Sequence, residues 1–255
     1  MERIDRYFDG RSLIHRWDPR VKLLSLGIFC FSTVFLPDIR LSLLSLAFSL
    51  SLLFISRVRI RALLGYIKWV LIFMLFFFLT MPFTVEGQKI FSVFGFSFTL
   101  EGLELAILIS TRALAVILIF FLILSSTRFE DIIKALYSLR FPNKLVQIIM
   151  FSYRYIFVLM DEARRTWDSM RVRGFNMGFF PRLGALKSLG FALGMLFIRS
   201  YERSERVLRA MVSRGYTGRV ETLNDFELKK RDVILGIGVF IFAALVQVLR
   251  LWIWM

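Results

Sequence analysis

Two six-residue stretches set an arginine in the same surroundings: Met170-Arg171-Val172-Arg173-Gly174-Phe175 and Met211-Val212-Ser213-Arg214-Gly215-Tyr216. Each reads Met, two residues, Arg, Gly, aromatic, and each closes a long amphipathic segment. Arg173 and Arg214 are therefore expected on the last turn of a helix, with glycine just beyond as the left-handed residue that ends it. A guanidinium held on such a rod offers a planar fork of donors to carboxylates or carbonyls, which a lysine does not. One Arg-Gly pair alone reads as a helix cap, since a basic residue there gains about 0.3–1 kcal/mol from the helix dipole. The repetition points further. Two consecutive helices with the same ending make a pair of arginine tips that grip something.

Other chemistry-bearing residues are few. Arg112 falls inside an apolar run, where a charge is a functional candidate by default; Glu104 lies two turns earlier on much the same face, too far for a direct bond. His15 is the single histidine and reads as a polar interface residue. Gly190 and Gly194 form a GxxxG in an apolar segment, a pattern that lets a second helix approach closely. The chain has no G-x-x-x-x-G-K-[ST] phosphate loop, no G-x-S-x-G elbow and no cluster of metal-ligating residues. The single Cys30 sits in an apolar run, so disulfides and zinc-finger spacing are excluded. Neither an enzyme, a metal site nor a bound cofactor is expected. With one histidine and few intramembrane carboxylates, proton-coupled transport would lack its usual residues.

These residues must be positioned by membrane helices. Of 255 residues, 57% are hydrophobic and 29 are Phe, more than a soluble domain of this size can bury. The expected class is an all-α polytopic membrane protein. Five spans are read, at Val21–Leu36, Leu41–Ile55, Tyr66–Phe83, Gly102–Leu124 and Val233–Trp254, with a short loop or hairpin over Thr84–Leu100. No cleavage pattern follows the first run, so it is not read as a signal peptide. The net charge of +15 comes from basic residues that gather on alternate loops, which points to a lipid bilayer and topology signals and not to nucleic acid. Arg3 to Lys22 and the Arg57–Arg61 cluster are placed in the cytoplasm, with the N-terminus inside and the C-terminus outside. The regions are then 1–124 (four spans), 125–232 (cytoplasmic) and 233–255 (a last span).

The segment 125–232 is read as ordered. A short helix over Phe129–Leu139 precedes a long one over Asn143–Arg173, up to about 45 Å if regular. Leu183–Arg214 repeats the plan, with Glu202–Arg206 and Glu205–Arg209 as supporting pairs. Both rods are apolar first and charged later, the pattern of helices lying in or under a membrane interface.

The residues resemble the T component of energy-coupling factor transporters, the EcfT/CbiQ family. Ser12-Leu13-Ile14-His15-Arg16-Trp17-Asp18-Pro19-Arg20-Val21-Lys22-Leu23 is similar to its S-x-x-H-x-x-D-P-R-x-K-L opening. Thr127 to Pro142 resembles its short helix closing in Leu-Arg-x-Pro, and Val172-Arg173-Gly174 and Ser213-Arg214-Gly215 match its two Ala-Arg-Gly signatures apart from their first residues. The resemblance implies long coupling helices whose arginine tips dock on two ABC-type ATPase subunits, and a surface for a substrate-binding membrane S component. It implies a non-enzymatic coupling subunit of an ATP-driven importer for a vitamin, cobalt or nickel. The alternative left open by the residues is a stand-alone channel or secondary transporter whose path passes Arg112.

Overall fold

The computed structural model describes residues 12–56, 60–85, 87–93, 96–175, 183–218 and 228–254. Their elements, in chain order, are α1 (Pro19–Val34), α2 (Ile39–Ser56), α3 (Ile60–Thr84), β1 (Lys89–Val93), β2 (Phe96–Thr99), α4 (Leu100–Ser126), α5 (Phe129–Ser138), α6 (Asn143–Val172), α7 (Leu183–Ser213) and α8 (Lys230–Trp254). The architecture is helical, with one antiparallel hairpin pairing Val93 with Phe96 and Phe91 with Phe98. Two compact units divide it: residues 1–139 with 225–255, and residues 140–224. The expected region 125–232 thus differs from the second unit at both ends. Short helix α5 packs with the bundle because Ile133 and Ala135 bury its apolar face.

Among the described residues, five helices are long and apolar enough to cross a membrane: α2, residues 67–84 of α3, α4, α7, and residues 230–252 of α8. Four of the expected spans fall in this set; the expected first one, in α1, does not, and α7 joins it by length and composition alone. α1 has only 16 residues, roughly 24 Å of helix against a hydrocarbon core of about 30 Å. α7, read from sequence as interfacial, qualifies because its apolar first half outweighs its charged second half.

In the bundle, α1, α4 and α8 meet over Leu26, Phe29, Ile119, Leu122, Val239 and Ala243, and Phe48 of α2 stacks on Phe242 at 3.9 Å. α2 approaches α4 through a stripe of small residues. Ser42, Ser45, Ser49 and Ser56 share its buried face with Leu41 and Leu53, a spacing of three, four and seven that lets backbones close in. The hydroxyls of Ser42, Ser45 and Ser49 donate to carbonyls three residues back at 2.8 Å, so burying them leaves those donors satisfied. At the start of α4, Thr99 Oγ1 donates to Val85 O at 2.8 Å and Pro82 O at 3.1 Å. Gly102 is required there, since a Cβ would lie 2.6 Å from Met81 O.

The segment 12–23 anchors three helices at one end. Asp18 caps α1 by accepting from Arg20 N at 2.8 Å, and Pro19 supplies a preset first turn. Trp17 Nε1 donates to Asp232 O at 3.0 Å, pinning the start of α8. Lys22 is fully buried, and its Nζ donates to Ser126 O at 3.2 Å and to Ser126 Oγ and Thr127 Oγ1 at 3.0 Å. Those acceptors are the orphan end of α4, which a cation satisfies well.

Candidate functional site

Both arginine tips are built by the same backbone device. Arg173 is the C-cap of α6, and Gly174 follows at φ +83°. Gly174 N donates to Arg171 O and Phe175 N to Met170 O, each at 3.0 Å. At the other tip Gly215 has φ +86°, with Gly215 N bonded to Val212 O and Tyr216 N to Met211 O at 3.0 Å. This crossed pair of bonds is the Schellman motif, in which the left-handed residue favours glycine and the first and last side chains are apolar partners. The repeated Met, Gly and aromatic are thereby explained by helix termination. The arginine is not, because the motif places no demand on the C-cap side chain.

Arg173 and Arg214 are both exposed, and among the described residues neither side chain forms an ion pair or hydrogen bond. Val172 and Ser213, where Ala is the family pattern, are exposed as well, so neither change is opposed by packing within the chain. The aromatics that follow are tied down. Phe175 lies edge-on to Trp167 at 5.6 Å, while Tyr216 Oη and Gln147 Oε1 are hydrogen-bonded at 2.8 Å and Gln147 Nε2 donates to Gly218 O at 2.9 Å.

These bonds fix the relation of the rods within their unit. The end of α7 lies beside the start of α6. Glu162 of α6 accepts from Arg199 Nη1 at 2.7 Å and lies 3.9 Å from Arg203, joining the middles. Arg173 stands roughly 40 Å along α6 from Gln147, so the two tips are separate sites. Beside the first tip, Arg173 and Phe175 with Ser188, Phe191 and Met195 line an open groove of about 1230 Å³.

The apolar stripes of both rods are left uncovered. Among the described residues, Val146 is the only buried one in α6, and α7 has none. Gly190 and Gly194 have no atom within 4 Å of a built Cβ. The meeting point with α6 lies instead at Arg199, so the GxxxG faces open space.

Arg112 donates from Nη1 to Val34 O at 3.3 Å, serving the carboxyl end of α1, and forms no ion pair with Glu104. His15 Nδ1 is hydrogen-bonded to Ser12 Oγ at 2.7 Å. Burial first, then the Lys22 ammonium, hold the His15 imidazole below its ordinary value. Sequence reasoning missed the roles of Lys22 and Trp17, which depend on α4 ending opposite Lys22 and α8 starting opposite Trp17.

Among known proteins, the family model described as cobalt transport protein, CbiQ, matches residues 10–223. An energy-coupling factor transporter transmembrane protein EcfT from Streptococcus equi is 31% identical over 232 residues, covering 84% of this chain and 83% of the relative. The one from Bacillus subtilis is 29% identical over 226 residues, covering 84% of each. An uncharacterized protein of Methanocaldococcus jannaschii is 28% identical over 253 residues, covering 94% of this chain and 84% of its own.

Proposed function

From the premise that this chain belongs to the CbiQ family of cobalt transport proteins and is a multi-pass transmembrane component of an energy-coupling factor transporter, we propose that it is the coupling scaffold between two ABC-type ATPases and a substrate-binding S component. The chain hydrolyses nothing itself. ATP-driven closure of the partners moves the rods, and the rods tilt the loaded S component. The cargo is a vitamin or a transition-metal ion, cobalt or nickel, and is read by that other subunit.

One observation supports this reading: two identically capped helix ends, roughly 40 Å apart along α6, each presenting an exposed arginine that has no partner among the described residues. Arg173 enters a groove of one ATPase and Arg214 the groove of the other, each as a fork on carboxylates or carbonyls. The Schellman caps fix the aim of each fork. The uncovered stripes of α6 and α7 face lipid and the S component, and Gly190 and Gly194 give a partner helix close access to α7.

The bundle stands in the cell membrane with the N-terminus in the cytoplasm and the C-terminus outside, as the basic loops require. Cysteines replacing Gln88 and Thr217 then label from opposite sides; labelling from one side contradicts the topology.

The coupling claim is tested in proteoliposomes holding the full complex. Arg173→Glu or Arg214→Glu is expected to raise ATP hydrolysed per substrate imported, or to release the ATPases. A hydrolysis-to-uptake ratio equal to that of the parent in both variants overturns it.

A further inference from the structure

We propose that Arg112 and Arg250 form a phospholipid site, binding the phosphodiester of one lipid where α1 runs out. The reasoning starts from levels along the bundle. Lys22 meets Ser126 at one end of α1, and Val34 meets Arg112 at the other. Ser42, at the start of α2, bonds Thr111 at 3.0 Å. The turn between α1 and α2 therefore reaches only the middle of α4, whose first half continues beyond it against α3.

α8 rises beside α1 to the same level. Ser32 Oγ donates to Ala243 O at 3.3 Å, and Gln247 Nε2 donates to Ser32 O and Oγ at 3.0 Å. Arg250 Nη1 then donates to Gln247 Oε1 at 3.4 Å. The two guanidinium groups thus both stand at the last turn of α1, Arg112 bonded to it directly and Arg250 through Gln247.

Their donors are largely unused. Each guanidinium carries five N–H donors, yet among the described residues each makes a single hydrogen bond and neither meets a carboxylate. Nε of Arg112 is buried without a partner. Two like charges with spare forked donors fit one anion bearing several acceptor oxygens, which is phosphate chemistry.

The surroundings choose a lipid as the source. Exposed Phe31 and Phe35, paired at 4.8 Å, flank the site on α1, and exposed Leu251 and Trp252 flank it on α8. Such side chains suit acyl chains and the headgroup boundary. Arg112 lies roughly 21 Å along α4 from Ser126, short of a hydrocarbon core of about 30 Å. A headgroup drawn inward by local thinning is the way a bilayer accommodates charge at that depth.

Native mass spectrometry of the full chain, offered phosphatidylglycerol, the uncharged digalactosyl-diacylglycerol or inorganic phosphate, tests this. The parent is expected to retain phosphatidylglycerol about ten-fold over the galactolipid, a preference set by charge-assisted bonds. Arg112→Gln/Arg250→Gln should abolish it, Arg112→Lys/Arg250→Lys should keep most of it, and Arg206→Gln on α7 should keep all of it. Should the double Gln variant unfold, Arg250→Gln alone, which spares the bond to Val34, is expected to lose about half of the retained lipid. Retention unaffected by Arg250→Gln and the double variant overturns the proposal. So does phosphate binding without lipid preference. Unchanged lipid retention alongside weakened binding of the partner membrane subunit assigns the arginines to a protein carboxylate instead, and overturns it equally.

Discussion

At Lys22 one ammonium closes the carboxyl end of α4, and its burial makes the three bonds costly to lose. Lys22→Met leaves Ser126 O and two hydroxyls without their donor, a loss on the order of 2–3 kcal/mol that thermal unfolding in detergent reads as a lower Tm. His15, above it, gives a pH dependence of fixed sign. Its imidazole is held below the ordinary 6.5, so the unfolded chain binds the proton first as pH falls. The contribution is complete above the unfolded value and is lost as pH drops through it toward the folded one. Tm measured between pH 7.5 and 5 should fall less steeply for His15→Gln than for the parent. Neither role was legible from residue types. A lysine at the edge of a span reads as a snorkelling side chain; that it points inward depends on α4 ending opposite it, which only the tertiary fold supplies. The ends of α6 and α7, by contrast, were legible because a glycine with positive φ is a local demand.

Among the elements, the caps of α6 and α7 separate termination from function. Gly174→Ala and Gly215→Ala place a Cβ at φ +83° and +86°, each costing about 1–2 kcal/mol. These changes fray the tips, whereas Arg173→Glu and Arg214→Glu leave the cap bonds in place; helix content by circular dichroism distinguishes the two. Ser49→Leu in α2 puts a large side chain into the face closed on α4 and should destabilise by about 1–3 kcal/mol, read as lower Tm. For Gly190→Leu/Gly194→Leu, the new Cβ atoms have nothing within 4 Å among the described residues. Tm of the isolated protein should be unchanged while copurification of the S component falls; equal copurification returns the GxxxG to chance. The helices themselves were readable from hydropathy, and the hairpin from Gly87 and alternating aromatics. What periodicity did not give was the serine stripe of α2, because hydropathy scores a serine the same on a lipid face and on a helix–helix face.

For the whole molecule, the chain divides into two compact units, one holding the bundle and one holding α6, α7 and both tips, and the proposed coupling role rests on the second. The bundle's lysine-centred junction binds α1, α4, α5 and α8 through Lys22, Trp17 and Thr127. The rods keep their apolar faces uncovered; in the proposed role these faces meet lipid and partners. Two tips on one unit should bind with avidity, so losing both costs more than losing either. The most direct test is copurification of the two ATPases with Arg173→Glu, Arg214→Glu and the double variant, all extracted from the same membranes. Removing one partner of a desolvated charge pair costs on the order of 2–5 kcal/mol, so each single variant should retain a reduced share of ATPase and the double variant almost none. Parental amounts of both ATPases on the double variant, with normal substrate uptake, would contradict the account.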